Sequence, residues 1–397
     1  MLQNTGDLAV LQPNDTLADL PLTPGSVATS LYLHVPFCVH KCGYCDFYSI
    51  TSQADRQDAW ADAIVAELNA LLSRVEVAPR TVYVGGGTPT LLEAATWAGL
   101  MQRLAERIDL SPLREFSVEA NPETVTPGLL ATLRSLGVNR LSIGCQSFQP
   151  DLLATLERAH DPASVRSAVA MARDAGIANL SLDLIYAVPG QSLDQLDADL
   201  DALLDLAPDH LSCYSLIFEP GTALTARRDL GRVRPIDNDL EAAMYRRVIH
   251  RLHDAGYEHY EVSNWARPDR ACEHNLAYWT GDHWLGLGPS AASHIDGLRW
   301  KNAPHLGRYL GSPGDPPIRD VERLAPDAAV GEALMLRLRL RQGVSLDWLD
   351  PRVPPGSARR DTIDRYTATG MMAITEHRLR LTDRGLMVAD ALLGELL

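Results

Sequence analysis

The 397-residue sequence predicts an α/β protein, a partial (β/α)6 barrel followed by a mostly helical, winged-helix-like C-terminal domain. Two observations carry this expectation. Short β-branched runs, each followed by an amphipathic or Ala/Leu-rich stretch, recur from residue 31 onward, and beyond residue 300 that alternation stops. Strands alternating with helices mean parallel strands joined by crossovers, hence a barrel or an open sheet.

The elements follow in order. Residues 1–30 hold no Lys or Arg, several Asp and scattered Pro and Gly, and read as a mobile extension. The strand runs are LYLHVPF (31–37), TVYVGGG (81–87), EFSVEAN (115–121), RLSIGCQ (140–146), LSLDLIY (180–186) and HLSCYSL (210–216). Helical patterns lie between them, among them 55–74, 162–175 and 192–206. Six units suggest a partial barrel over 31–300. PHLGRYLGSPGDPPIRD then reads as a boundary, with residues 301–397 as a separate C-terminal domain. Its expected parts are helices near 327–341 and 358–369, a hairpin in MMAITEHRLRLTDRG and a final helix in LMVADALLGELL.

Composition limits the function. A formal net charge of -15 and a pI near 5.2 argue against nucleic-acid binding, which depends on Lys and Arg neutralising phosphates. Lys41 and Lys301 are the only lysines. Six Cys in 397 residues, with no cationic n-region and no long apolar run, point to a reduced, cytoplasmic setting.

Three of those cysteines, Cys38, Cys42 and Cys45, fall within FCVHKCGYC. CxxxCxxC spacing holds a [4Fe-4S] cluster by three of its irons and leaves the fourth open to S-adenosylmethionine (SAM). A tetrahedral zinc site ordinarily shows a second Cys or His pair further along. His34 or His40 could complete one, but no second pair follows. Lys41 lies inside the loop, where a cation favours thiolates.

Other polar residues gather at the carboxyl ends of the runs, the face on which α/β barrels carry their sites. Gly85, Gly86, Gly87, Thr88 and Pro89 end the second run, Glu119 and Asn121 the third, Gln146 and Ser147 the fourth, and Asp183 and Tyr186 the fifth. Glycines let a backbone approach a ligand closely, although a tight turn would also use them. Each polar strand end could alternatively be a helix cap.

The order YLHVPFCVHKCGYC, GGGTPT, SVEANP, GCQSF, LERAH and DLIYAVPGQ resembles the coproporphyrinogen dehydrogenase-like family of radical SAM proteins, over roughly residues 31–300. The resemblance implies a TIM-type radical SAM barrel with a SAM pocket. Tyr32 and Tyr44 would lie beside the cofactor, and Gly86, Gly87 and Thr88 would line its methionine end. Glu119 would hydrogen-bond to SAM, Gln146 would assist, Arg158 would pair with the carboxylate and Asp183 would take the ribose hydroxyls.

One departure separates branches. The dehydrogenase pattern has a cysteine two residues after the third ligand, where this chain has Phe47. The CxxxCxxCxF form is similar to the HemW-type branch of haem chaperones, and His274, Asn275, Tyr278 and Trp279 in HNLAYW match that branch's HNxxYW signature. The resemblance implies haem as cargo, delivered to haem-accepting proteins, expected to be membrane-bound respiratory enzymes, with only transient membrane association through the partner. A homodimer stays an open alternative. The imidazole of His274 is a candidate axial ligand, Cys272 a second, and Tyr278 and Trp279 candidate porphyrin platforms. His283 and His294 are weaker candidates, and packing of the barrel mouth is the competing reading of this stretch. Cys145 and Cys213, inside strand runs, read as buried small hydrophobes. The alternative function is a radical SAM oxidoreductase of the oxygen-independent coproporphyrinogen oxidase kind, reductively cleaving SAM.

Overall fold

A computed structural model describes residues 15–51 and 54–397. Its barrel strands are β1 (Val27–Val35), β2 (Glu76–Gly86), β3 (Glu115–Ala120), β4 (Arg140–Gln146), β5 (Asn179–Tyr186) and β6 (His210–Ser215). They lie side by side in chain order, and every neighbouring pair is parallel. Helices α1 (Gln57–Leu72), α2 (Ala94–Ala105), α3 (Pro127–Ser135), α4 (Pro162–Asp174) and α5 (Leu193–Asp205) make the crossovers.

Local chemistry sets the helix starts. The Asp161 carboxylate accepts the Ser164 N–H at 2.8 Å at the head of α4. Ser192 and Gln195 cap α5 reciprocally, each side chain accepting the other residue's N–H.

Each strand then alternates. One face is apolar and fully buried against the helices, as with Val82 and Val84, Phe116 and Val118, Leu141 and Ile143, and Leu180, Leu182 and Leu184. Burying each such side chain contributes roughly 1.5–3 kcal/mol relative to exposure, so this shell holds the barrel. The opposite face is polar: Tyr83, Glu115, Ser117, Glu119, Arg140, Ser142, Ser181 and Asp183 point the other way by the period of two, into the lumen. Branched apolar side chains usually fill such a barrel; here hydroxyls and charges line it.

The sheet extends past the six strands. After α6 (Asn238–Asp254), β7 (Glu258–Glu261) and β8 (Asn264–Ala266) add antiparallel beyond β6. On the other side α7 (Glu273–Thr280) leads to β9 (Trp284–Leu287), which pairs parallel with β1. Then β10 (Ala292–Ile295), β11 (Leu298–Asn302) and β12 (Ile318–Arg323) continue antiparallel. The strand order is β12-β11-β10-β9-β1-β2-β3-β4-β5-β6-β8-β7. The seventh parallel strand, β9, was not expected from the sequence.

Two boundaries differ from the expectation. Within the expected mobile extension 1–30, residues 15–30 are built into the fold, whereas residues 1–14 lie outside the described residues. Leu17 and Leu20 are each 2% exposed, the Leu17 N–H donates to Pro316 O at 3.1 Å, and β1 begins at Val27. The division at 300/301 cuts through β11, and β12 still belongs to the large sheet, so the C-terminal unit begins after Arg323. It consists of α8 (Pro326–Leu338), α9 (Ala358–Ala368) and a three-stranded sheet formed by Val344–Ser345 with β13 (Met372–Thr375) and β14 (Arg378–Leu381). Of the expected final helix, 386–397, the stretch Ala389–Gly394 is helical, and a separate short helix, Asp383–Leu386, precedes it at the end of the stretch expected as a hairpin.

Candidate functional site

The cysteine loop leaves the carboxyl end of β1. Cys38, Cys42 and Cys45 are all half-buried free thiols, and the Cys45 N–H donates to Cys42 O at 3.2 Å. Below them Tyr44 packs against Leu152, Leu156, Ile185 and Val188. Gly43 presents its carbonyl to the Leu224 N–H at 2.7 Å, and a Cβ there would lie 2.9 Å from the Glu157 carboxyl carbon.

Side chains from the ends of β2 and β3, and from the connection that follows β4, tie this loop down. The Thr88 hydroxyl donates to Cys38 Sγ at 3.5 Å and accepts from Asn121 Nδ2 at 3.0 Å. Arg158 Nη2 donates to Asn121 Oδ1 at 2.9 Å and to Gly144 O at 3.0 Å, while Arg158 Nη1 reaches Cys42 Sγ at 3.6 Å. A hydrogen-bonded arc thus runs Cys38–Thr88–Asn121–Arg158–Cys42. Burial raises the Cys42 thiol, and the Arg158 guanidinium opposes that. Burial likewise pushes Cys45 up to about 11, against the Phe47 backbone and the Lys41 charge. Donors aimed at the sulfurs favour the thiolates that iron requires.

This donor set, three half-buried thiols on one loop with hydrogen-bond donors reaching two of the sulfurs, fits a cluster held by three thiolates. Gly87 supplies the close approach: a Cβ there would lie 3.1 Å from Cys38 Sγ and 2.6 Å from Phe37 O.

The pocket beside the loop is built on Glu119. Its Oε1 accepts from the Tyr83 hydroxyl at 2.8 Å and its Oε2 from the Gly86 N–H at 3.0 Å. Gly85 admits it, since a Cβ there would lie 2.8 Å from the carboxyl carbon. Gly86 has φ 108, a left-handed backbone that favours glycine, and a Cβ would strike His34 at 2.6 Å. Burial pushes Glu119 up to about 7, with the Asp183 charge adding to it and the Tyr83 hydrogen bond opposing it. Burial also raises Asp183, which accepts from the Ser142 hydroxyl at 3.3 Å. Two neighbouring half-buried carboxyls and bare glycine backbone suit a ligand with an ammonium group and hydroxyls, as SAM has.

Tyr32 joins them, its hydroxyl 3.1 Å from His34 Nδ1 and its ring stacked 6.3 Å from that of Tyr83. Gln146 has φ 63 and turns its amide beside Gly144, where a Cβ would lie 2.8 Å from Nε2. Tyr32, Gly86, Gly87, Thr88, Glu119, Gln146, Arg158 and Asp183 are therefore brought into one neighbourhood at the carboxyl ends of the strands, next to the thiols.

Other candidates are placed elsewhere. Ser147 donates to the buried Asp199 carboxylate at 2.8 Å, and Tyr186 packs in the core, stacked 6.3 Å from Tyr245. Cys145 and Cys213 are buried, as expected. His283 is occupied too, its Nδ1 3.2 Å from Val27 O and its Nε2 accepting the Asp296 N–H at 3.2 Å.

The HNLAYW segment departs most from the expectation. It forms α7, whose amino end sits on the Glu115 carboxylate, with the Glu273 N–H at 2.7 Å and the His274 N–H at 3.3 Å. His274 is 1% exposed, its Nδ1 2.7 Å from the Thr81 hydroxyl and its Nε2 2.8 Å from the Tyr278 hydroxyl. Both ring nitrogens are engaged, and burial lowers its pKa to about 3, with Arg140 adding to the effect. Cys272, 3% exposed, contacts Glu115 at 3.3 Å. Neither residue presents a ligand atom to an incoming porphyrin. Asn275 donates to the Tyr260 hydroxyl at 3.2 Å, and Arg339 lies 5.6 Å over the Trp279 ring.

Sequence reasoning missed Tyr83, Glu115 and Arg140. The signal was available: each alternates with apolar residues in its strand and so faces the lumen.

Residues 32–203 match the Radical SAM superfamily, and residues 324–388 match the HemN C-terminal domain, which starts just after β12. The chain is similar to the protein named Heme chaperone HemW from Mycobacterium tuberculosis, 41% identical over 387 residues, covering 96% of this chain and 97% of that one. It is 33% identical to Heme chaperone HemW of Bacillus subtilis over 383 residues, covering 93% and 99%. The radical SAM enzyme coproporphyrinogen III oxidase, HemN, from Escherichia coli shares its fold, with a TM-score of 0.81 at 22% identity over 96% of this chain and 91% of that one. Among the described residues no helix is long and apolar enough to cross a membrane. The chain belongs to the HemW-type family of radical SAM proteins.

Proposed function

We propose that this chain is a haem chaperone that takes up haem in the cytoplasm and hands it to a haem-dependent acceptor, in the favoured case a respiratory enzyme at the membrane. Similarity along the whole length to proteins named as haem chaperones is the observation that carries this reading. Phe47 supports it: it stands where the dehydrogenase pattern has a cysteine, and it is 60% exposed.

The barrel holds two further groups in this reading. Cys38, Cys42 and Cys45 ligate a [4Fe-4S] cluster, and Glu119, Gln146, Arg158, Asp183, Tyr32, Tyr44 and the Gly86–Thr88 backbone hold SAM. When bound, the cluster would supply an electron and an iron free of protein thiolate. The chain's own residues do the positioning. Glu119 receives the amino group, Asp183 the ribose hydroxyls, and Arg158 shares its guanidinium between the Cys42 side and the SAM carboxylate.

A second reading is an oxidoreductase acting on a porphyrinogen, supported by the presence in this chain of the residues expected to contact SAM. One anaerobic experiment separates the two. Reconstituted protein mixed with haemin is expected to gain a Soret band stoichiometrically and to lose it to an apo-acceptor such as apomyoglobin. Absence of stoichiometric uptake sinks the chaperone reading. Release of 5'-deoxyadenosine in excess over protein, with reductant, SAM and coproporphyrinogen supplied, establishes the second.

A further inference from the structure

The signature helix α7 sits at the amino end of the barrel, opposite the cysteine loop. Its first N–H groups rest on Glu115, the first residue of β3, and His274 bonds Thr81, which pairs in register with Glu115. From there contacts lead upward. The His274 ring stacks on Tyr83 at 5.2 Å with 23° between planes, and the Tyr83 hydroxyl donates to Glu119 at 2.8 Å. Tyr278 is bonded to His274 Nε2 at 2.8 Å.

We infer that the HNLAYW segment is the floor of the SAM-binding lumen, and that His274 is a positioning residue holding Tyr83 against Glu119, not a ligand of haem iron. The imidazole is held at both nitrogens, so its plane is fixed. That plane fixes the facing Tyr83 ring, whose hydroxyl orients Glu119 Oε1 while the Gly86 N–H orients Oε2. To coordinate haem, His274 would have to break one of two buried hydrogen bonds and swing out of a site where it is 1% exposed. The same helix reaches the C-terminal unit, because Arg337 Nη2 donates to Thr280 O at 2.8 Å. The inference rests on the reading of Glu119 as a SAM contact.

The test uses the full chain, anaerobically reconstituted, in wild-type form and as His274→Ala, His274→Gln, Tyr83→Phe and the His274→Ala/Tyr83→Phe pair. Calorimetry gives the SAM dissociation constant, a Soret titration the haemin stoichiometry, and iron analysis the cluster content. His274→Ala and Tyr83→Phe should each weaken SAM about tenfold, the scale of one lost hydrogen bond to a charged group. The pair should be no weaker than either single variant, because both act through one contact. Haemin stoichiometry and iron content should stay at wild-type values. The pH midpoint for SAM binding should rise in Tyr83→Phe, since a donor to Glu119 is lost while Asp183 on β5, Arg140 on β4, Tyr32 on β1, Tyr278 on α7 and the Gly86 N–H remain.

Loss of the haemin band in His274→Ala with SAM affinity intact overturns the inference. If that variant does not fold, His274→Gln answers for haem, since it keeps a donor and an acceptor. Tyr83→Phe answers for SAM, and wild-type SAM affinity in it also overturns the inference. A wild-type chain that binds no SAM removes the site assignment itself, whereas a wild-type chain that binds SAM as its variants do removes only the role of His274.

Discussion

Gly87→Ala measures how closely the end of β2 is pressed against the cysteine loop. The added methyl would lie 2.6 Å from Phe37 O, 2.9 Å from Val35 O and 3.1 Å from Cys38 Sγ. Neither carbonyl can step aside freely, because Val35 O accepts the Gly87 N–H and Phe37 O the Thr88 N–H, each at 2.7 Å. Gly87 does not occupy the left-handed region, so the cost is steric. Overpacking of this kind costs about 1–3 kcal/mol, and weakening two hydrogen bonds adds about 0.5–1.5 kcal/mol each, so about 2–6 kcal/mol is expected. The substituted chain should melt lower without its cluster and, after anaerobic reconstitution, hold well under the wild-type content of iron and sulfide. Gly99→Ala is the control: it lies inside α2 with nothing within 4 Å of a Cβ, and should be neutral or stabilising by roughly 0.5–1 kcal/mol. Wild-type melting and full iron in Gly87→Ala would refute the reasoning.

Three further outcomes follow from the same geometry. Asn121→Ala breaks the arc between Thr88 and Arg158 and should lower cluster affinity about 10–100-fold, read by iron retention against a chelator. SAM should bind more tightly as pH rises through about 7, where Glu119 loses its proton, and Glu119→Gln should flatten that dependence and weaken binding about 10–100-fold by calorimetry. Glu67, buried between Tyr309, Asn302 and Gly288, is pushed up to about 7 by burial, with its hydrogen bonds opposing. Its folded pKa lies above the unfolded value, so its stabilising effect is complete below about pH 4.5 and lost as pH rises through about 7, by about 3 kcal/mol. Melting from pH 5 to 8 should therefore fall less steeply in Glu67→Gln, with the part due to Glu119 remaining.

Much of this was legible because its signals are local. The run RLSIGCQ coincides with β4, and the helical patterns at 162–175 and 192–206 match α4 and α5 to within a residue at each end. The cysteine spacing and most of the polar strand ends led to residues that the fold brings together, Ser147 and Tyr186 being the exceptions. What escaped depends on distant partners. Leu17 and Leu20 carry no periodic pattern, and they are anchored by chain nearly 300 residues away, where the Ile318 N–H donates to Asp15 O at 3.0 Å. The strand β9, WLGL, is four residues with a glycine, too short to stand out until it pairs with β1. HNLAYW offered a histidine and two aromatic side chains, which suit a porphyrin equally well on a surface or in a core. Only the Thr81 and Tyr278 bonds at the two nitrogens show which of these His274 occupies.

The most direct test of the central claim is electron paramagnetic resonance of the anaerobically reconstituted, dithionite-reduced protein, with and without SAM. A reduced [4Fe-4S] signal whose g-values move when SAM is added is the predicted result, since an iron without a protein thiolate accepts the new ligand. Zinc in place of iron, or a cluster signal indifferent to SAM, would contradict the account.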